Sequence, residues 1–293
     1  MLHLNPFYLA STLPLRAESP FGRLSQPEMS APFLEWFTNS ILVAAIVTGI
    51  VVLFARRATK KMQLVPSGRQ NVFEALVEGL YEVVEGIVGT HMVKKVFSLI
   101  ATIFIFILTA NWFGLLPGVG SIGWGEKTGF LSLSHVEVAL FRPATADLNM
   151  TLGIAALFML LWFYWTIQEL GFIGFLKHNF GVKGGIKGTM ALCLMPLFLF
   201  VGVIELISIA FRPVSLSLRL FGNIFAGENL LVAMITLGHE LGLPTVVSAI
   251  MGVIIPIPFY FLELLVGLLQ ATVFALLCAV YIQLSTGHDE DAH

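Results

Sequence analysis

Residues Gly188–Gly238, GTMALCLMPLFLFVGVIELISIAFRPVSLSLRLFGNIFAGENLLVAMITLG, decide the fold. The run is almost wholly apolar, yet it carries four isolated charges: Glu205, Arg212, Arg219 and Glu228. A bilayer core needs about 20 apolar residues of helix. This segment is more than twice that length, so it reads as one long tilted or kinked helix. A second long apolar segment, Thr245–Gly287, follows the sequence Gly238-His239-Glu240-Leu241-Gly242-Leu243-Pro244, a turn by composition. Residues 188–287 therefore predict a hairpin of two long helices.

The rest of the chain agrees. Of its 293 residues, 57% are hydrophobic and 12% charged, and that charged share is about half the usual one. A soluble globule could not hide so much apolar surface, because its exterior needs charge. Two cysteines and a net charge of −2 exclude a disulfide scaffold and a nucleic-acid binder. Cys193 and Cys278 lie within apolar runs and read as small buried hydrophobes. Three further charge-poor stretches suit membrane spans: Trp36–Ala55, Val96 into Gly114–Gly125, and Leu148–Gln168. The prediction is an all-α polytopic membrane protein with about five crossings.

Basic residues set the expected orientation. Arg56, Arg57, Lys60, Lys61, Arg69, Lys94, Lys95, Lys177, Lys183 and Lys187 place ten of the sixteen Lys/Arg on one side, taken as cytoplasmic. The Leu115–Asp147 connection on the other side has only Lys127 and Arg142. Five crossings then put the N-terminus, with a tail over residues 1–35, outside the cell. The acidic tail over residues 288–293 lies inside. No signal-peptide pattern stands in residues 1–35, which favours a bacterial inner membrane over an organelle's. Residues 36–187 hold the first three spans. Between the first two, Glu74, Glu78, Glu82 and Glu85 form one helical stripe within residues 71–91. That pattern predicts an amphipathic helix, either at the cytoplasmic interface or packed on a soluble partner. No large internal repeat is visible, which weakens an inverted-repeat transporter reading.

Glu205, Arg212, Arg219, Glu228 and Glu263 lie well inside the last two segments. Each costs about 2.5–3.5 kcal/mol at the bilayer centre on insertion scales. If the segments fold back near Pro244, opposed residues have numbers with a constant sum. Arg219 then falls opposite Gln270, and Glu228 opposite Glu263, with about 10–14 Å of depth between the two levels. Glu205 lies roughly 21 Å from Arg219 toward the cytoplasm. At 100° per residue, Ser208, Arg212, Ser215 and Asn223 share the face of Arg219, whereas Glu228 points the opposite way. Two access routes meeting a partner at the arginine would look like this. Glu228 and Glu263, if adjacent, should titrate as a coupled pair, which suits a proton relay. Asn223 and Gln270 could supply oxygen ligands, so sodium stays open as the ion. Arg212, beside Pro213, reads equally as half of a buried pair joining helices.

The stretch Arg212-Pro-Val-Ser-Leu-Ser-Leu-Arg219-Leu-Phe-Gly-Asn223-Ile-Phe-Ala-Gly-Glu228 closely resembles the signature of subunit a of the F-type ATP synthase membrane sector. Asn111-Trp-Phe-Gly-Leu-Leu-Pro117 resembles that family's motif ending the second span, and Ala144–Leu152 its start of the third. Gln270 and the run through Tyr281 fit its last helix. The resemblance covers roughly residues 35–285 and implies a proton-conducting stator subunit with two offset half-channels. It implies a c-subunit ring and b-type peripheral stalk subunits as partners, and no cofactor or metal. Arg219 matches the essential arginine facing the ring. Asn223, Glu228 and Gln270 match polar residues of the half-channels, and Glu205 the acidic residue toward the cytoplasmic exit. Glu263 stands where many relatives have histidine. Arg212 and Ser215 flank this set as supporting residues.

Other signals are weaker. Gly118–Gly123 fits a dinucleotide fingerprint but follows a membrane span rather than a strand. Gly181–Thr189 lacks the Gly-Lys-Ser/Thr order of a phosphate loop, since Ile186 precedes Lys187. The seven histidines show no ligand spacing. The alternative function is a secondary transporter with an intramembrane Arg/Glu site; an intramembrane hydrolase lacks a nucleophile with its base.

Overall fold

Helix is the default wherever the chain meets lipid, because every backbone polar group must then be satisfied within its own segment. The computed structural model describes residues 39–60, 68–116, 119, 123–124, 138–139, 141–181 and 189–286. The expected tails, the fingerprint at Gly118–Gly123 and the basic residues Lys61, Lys183 and Lys187 lie outside them, apart from Val119 and Gly123. The helices are α1 (Asn39–Thr59), α2 (Arg69–Val88), α3 (Thr90–Gly114), α4 (Leu148–Phe180), α5 (Thr189–Glu240), α6 (Thr245–Ile254) and α7 (Pro256–Thr286). A 3-10 turn, Ala144–Ala146, precedes α4, and Gly123–Trp124 pairs antiparallel with Val138–Ala139. Among the described residues, five segments are long and apolar enough to cross a membrane: α1, α3, α4 through Lys177, α5 from Met195, and Thr245–Ser285. The helical fold with five candidate spans is as the sequence predicts.

The expected hairpin turn falls at Leu241–Pro244, with Gly242 at φ 67°. α5 runs for 52 residues and contains Pro196 and Pro213, each of which removes one rung of the backbone ladder. The returning segment is split where α6 ends at Ile254 and α7 begins at Pro256. α7 is central and touches α2, α3, α4, α5 and α6. Its residues Ala271, Phe274, Ala275, Cys278, Ala279 and Ile282 join Val96, Ile100, Phe104 and Ile107 of α3 and Leu216, Leu220 and Ile224 of α5 in the main core. A smaller core holds Val43, Ala44 and Val47 of α1 against Ala110 and Ala144.

Two glycines make the elbows that sequence reading placed only loosely. Gly89 (φ 83°, ψ 163°) separates α2 from α3. The helix expected over 71–91 therefore stops at Val88, and His91 belongs to the membrane helix. α2 turns its apolar side onto its own chain: Val84 and Val88 are buried, and Tyr81 meets Phe97 edge-on at 5.0 Å. Gly171 (φ 72°, ψ 161°) breaks α4, and a short second helical piece runs on to Phe180. That piece returns against α5, where a Cβ on Gly202 would overlap the Phe180 ring and the Asn179 carbonyl. Beside the break, Lys95 of α3 pairs with Glu169 of α4.

Both elbows occupy backbone space that is essentially restricted to glycine. Gly171→Ala is expected to cost about 1–3 kcal/mol of stability, read as a lower melting temperature of the purified complex and reduced incorporation of the chain into membranes. An unchanged melting temperature would show that α4 runs straight.

Candidate functional site

A helix buried on one stripe displays that stripe at intervals of three and four residues. On α7 the buried stripe opens with Glu263 (7% exposed), Gly267 and Gln270 (4% exposed), before the apolar core residues. Polar groups at such depth need partners. α3 holds this part of α7 through two backbone carbonyls. Asn111 Nδ2 donates to Gly267 O at 3.1 Å, and Trp112 Nε1 donates to Leu264 O at 3.2 Å. Thr145 Oγ1 in turn donates to Asn111 Oδ1 at 2.7 Å, which fixes the orientation of the amide. The polar start of the Asn111–Pro117 motif is thus a clamp on α7.

Across the hairpin, Asn223 Nδ2 donates to Gln270 Oε1 at 2.7 Å. Gln270 was expected opposite Arg219; the structure gives it Asn223, one turn further along the same face of α5. The Glu263 carboxyl lies directly against Gly227, where a Cβ would overlap it. Glu228 was expected beside Glu263, but its carboxylate faces the connection before α4. Arg142 Nε donates to Glu228 Oε1 at 3.2 Å and Oε2 at 3.1 Å. The two acids occupy adjacent positions of one level, and only Glu228 has a guanidinium partner among the described residues.

Arg219 stands exposed on the flank of α5. It lies on an exposed stripe of α5 with Ile204, Ser208, Phe211, Ser215, Asn223 and Ala226, while Leu216, Leu220, Ile224 and Leu231 face inward. Among the described residues no ion pair reaches it. Arg212, although only about 20° away around an ideal helix, behaves differently. Its guanidinium stacks at 4.7 Å from the Tyr281 ring and 5.5 Å from the Trp162 ring, joining α5 to α7 and α4. Trp162 Nε1 donates to Tyr281 O at 2.9 Å, so the two rings share one scaffold. Beside them a cleft of about 160 Å³ is lined by Glu205, Arg212, Thr166, Asn179 and Ser285, among others. Asn179 is 3% exposed, and its Nδ2 has no hydrogen-bond partner among the described residues.

The polar groups therefore form three sets along α5: Glu263, Glu228 and Arg142 toward the turn, Asn223 and Gln270 beside exposed Arg219, and Glu205 with the cleft toward the start. This is a graded polar series through an apolar bundle. The family model described as ATP synthase A chain matches residues 37–283. The chain belongs to that family. Relatives named ATP synthase subunit a include those of Aliarcobacter butzleri (31% identical, covering 88% of this chain and 92% of the relative), Gloeobacter violaceus (32%, 80% and 78%) and Geobacter sulfurreducens (32%, 88% and 87%). As a member, the chain is a multi-pass bacterial membrane protein, a proton-translocating ATP synthase subunit without nucleotide chemistry of its own.

Sequence reading missed the contacts of Arg142, Thr145 and Asn179 and the clamping role of Asn111. Arg142 and Glu228 are 86 residues apart, and no local periodicity links a connection to a helix across that distance. The one available signal was that Arg142 and Lys127 are the only bases in the Leu115–Asp147 connection. Gly227→Ala should displace the Glu263 carboxyl and lower ATP-driven proton pumping by roughly tenfold or more, each tenfold being about 1.4 kcal/mol of barrier. Pumping at the normal rate, with the complex assembled, would show that the close approach of Glu263 to α5 is without consequence.

Proposed function

We propose that the chain is the proton-conducting stator of its ATP synthase, with two half-channels offset on either side of Arg219. The observation that carries this reading is the exposed Arg219 stripe of α5, which leaves a charged side chain on the apolar flank of the bundle. A cation on such a surface is costly unless a partner supplies the opposite charge. A ring of c subunits, each with one carboxylate, fits that requirement, and b-type stalk subunits hold the stator in place. Small residues on the stripe, Ser208, Ser215 and Ala226, let a partner helix approach closely.

Protons enter from outside past Glu263, Glu228 and Asn223 and protonate a ring carboxylate. After nearly a full turn of the ring, the carboxylate loses its proton into the cleft beside Glu205 and thence to the cytoplasm. Arg219 is always charged. In low dielectric its attraction holds the passing carboxylate ionised and closes the direct path between the half-channels. The N-terminus lies outside and the C-terminus inside, as the basic residues of the α1–α2 and α4–α5 connections require. Family membership favours this reading over a secondary transporter, which would work without a ring.

Arg219→Ala tests it. ATP-driven acidification of inverted vesicles should be lost with the complex assembled, and passive proton leak should rise once the peripheral sector is stripped. Normal pumping would make Arg219 structural and end the proposal. Glu263→Gln and Glu228→Gln should each slow proton uptake, and unchanged ATP synthesis in both would defeat the relay assignment.

A further inference from the structure

Arg142 has no place in the proton path described above, yet its position is closely defined. Its backbone is held on one side by Pro143, whose ring packs so tightly on Gly114 at the end of α3 that a Cβ there would overlap it. The buried turn Ala144–Ala146 follows and packs on α1, α3 and α5. The side chain reaches α5 at two points one turn apart. Its guanidinium lies 5.8 Å from the Phe225 ring centroid, and Nε spans both oxygens of Glu228. The Arg142 and Glu228 side chains are only 13% and 29% exposed.

We infer that Arg142 is a positioning residue for proton uptake: it pins the Glu228 carboxylate as a fixed anion beside Gly227, leaving Glu263 as the group that passes the proton on. The charge arithmetic supports this division. Among the described residues the level holds two carboxyls and one permanent cation, and that cation pairs with Glu228. Glu263, pressed against Gly227, has no cationic partner among the described residues, so it is free to exchange its proton without breaking an ion pair. Among the described residues the other nearby titratable groups are engaged or turned outward: Asp147 accepts from Asn149 N at 3.0 Å as the cap of α4, and Tyr260 stands exposed one turn before Glu263. Removing one member of a partly buried pair leaves an uncompensated charge, and that penalty far exceeds the net value of the intact pair. Loss of Arg142 therefore frees Glu228 to move and to compete for the proton. Loss of Glu228 leaves an unmatched cation beside the path.

The inference rests on the uptake reading of Glu228 and Glu263, and an epistasis measurement separates the two. Passive proton conduction is measured in vesicles of the assembled complex stripped of its peripheral sector. Arg142→Gln should lower it about tenfold, equivalent to ~1.4 kcal/mol, whereas Arg142→Lys, which keeps the charge, should restore most of the rate. In the Glu228→Gln background, Arg142→Gln should cause no further loss, because a residue acting through Glu228 has nothing left to position. Additive losses, or full conduction by Arg142→Gln, would overturn the inference. If Arg142→Gln fails to assemble, the smaller loss in Arg142→Lys carries the same comparison and should vanish without Glu228; its persistence would overturn the inference. Glu263→Gln is the control. Unchanged conduction there would sink the uptake reading itself, while a block by Glu263→Gln beside an indifferent Arg142 would sink only the role of Arg142.

Discussion

The hydrogen bonds from Asn111 and Trp112 to the α7 carbonyls of Gly267 and Leu264 set the register on which the rest of the polar series depends. Inside a bilayer, apolar packing alone fixes the depth of one helix against another poorly, because lipid is as apolar as leucine. A side-chain amide donating to one particular carbonyl admits a single register. Gly267 lies four residues after Glu263 and three before Gln270, so clamping it sets the depth of both. Its lack of a side chain allows the approach: a Cβ there would stand 3.2 Å from Asn111 Cβ. α5 then meets α7 with Gly227 under Glu263 and Asn223 on Gln270. Thr145 completes the chain of constraint by tying the amide to the turn that also carries Arg142.

Much of this was legible in the sequence because membrane insertion writes itself into composition. The spans, the hairpin turn and the stripe Glu74–Glu85 come from run lengths and periodicity, and the structure differs from them mainly at Gly89 and Gly171. Those two elbows were hidden because glycine is common in this chain, and a positive φ is decided by what the flanking helices pack against. The constant-sum rule put Glu263 at the level of Glu228, but an error of one residue turns a side chain by 100°. Thus Gly227, rather than Glu228, lies under the Glu263 carboxyl. Which partner Glu228 takes instead depends on a connection whose course no helical period describes.

Arg212 and Arg219 show the same limit on a smaller scale. Helical angle puts them on one face of α5, and angle alone gives them one environment. The structure separates them by what stands opposite. Arg212 meets Trp162 and Tyr281, rings that a cation can approach without a counter-ion, at a gain of roughly 0.5–2 kcal/mol each. It is thereby a joint between α4, α5 and α7 as well as a wall of the Glu205 cleft. Arg219 meets neither ring nor carboxylate among the described residues.

That contrast bears on why the bundle leaves one flank of α5 bare. Nothing prevents a chain this apolar from satisfying an arginine internally; it does so at Arg212 with two rings and at Arg142 with Glu228. An intramembrane cation left on the outer stripe, among Phe211, Leu218 and small residues, carries the full cost of its exposure to hydrocarbon. The cost disappears only when an opposite charge arrives, and a partner that must keep moving cannot be bound permanently by it. A pair that were buried and hydrogen-bonded on all sides, as Arg142 and Glu228 nearly are, would hold its carboxylate too tightly to let it pass. On the function proposed above, an arginine at an open flank, with polar groups above and below it, attracts each passing carboxylate and releases it as the next one comes. The exposed position of Arg219 thus suits the moving partner proposed above, and the clamp on α7 holds Glu263 and Gln270 at fixed depths beside it.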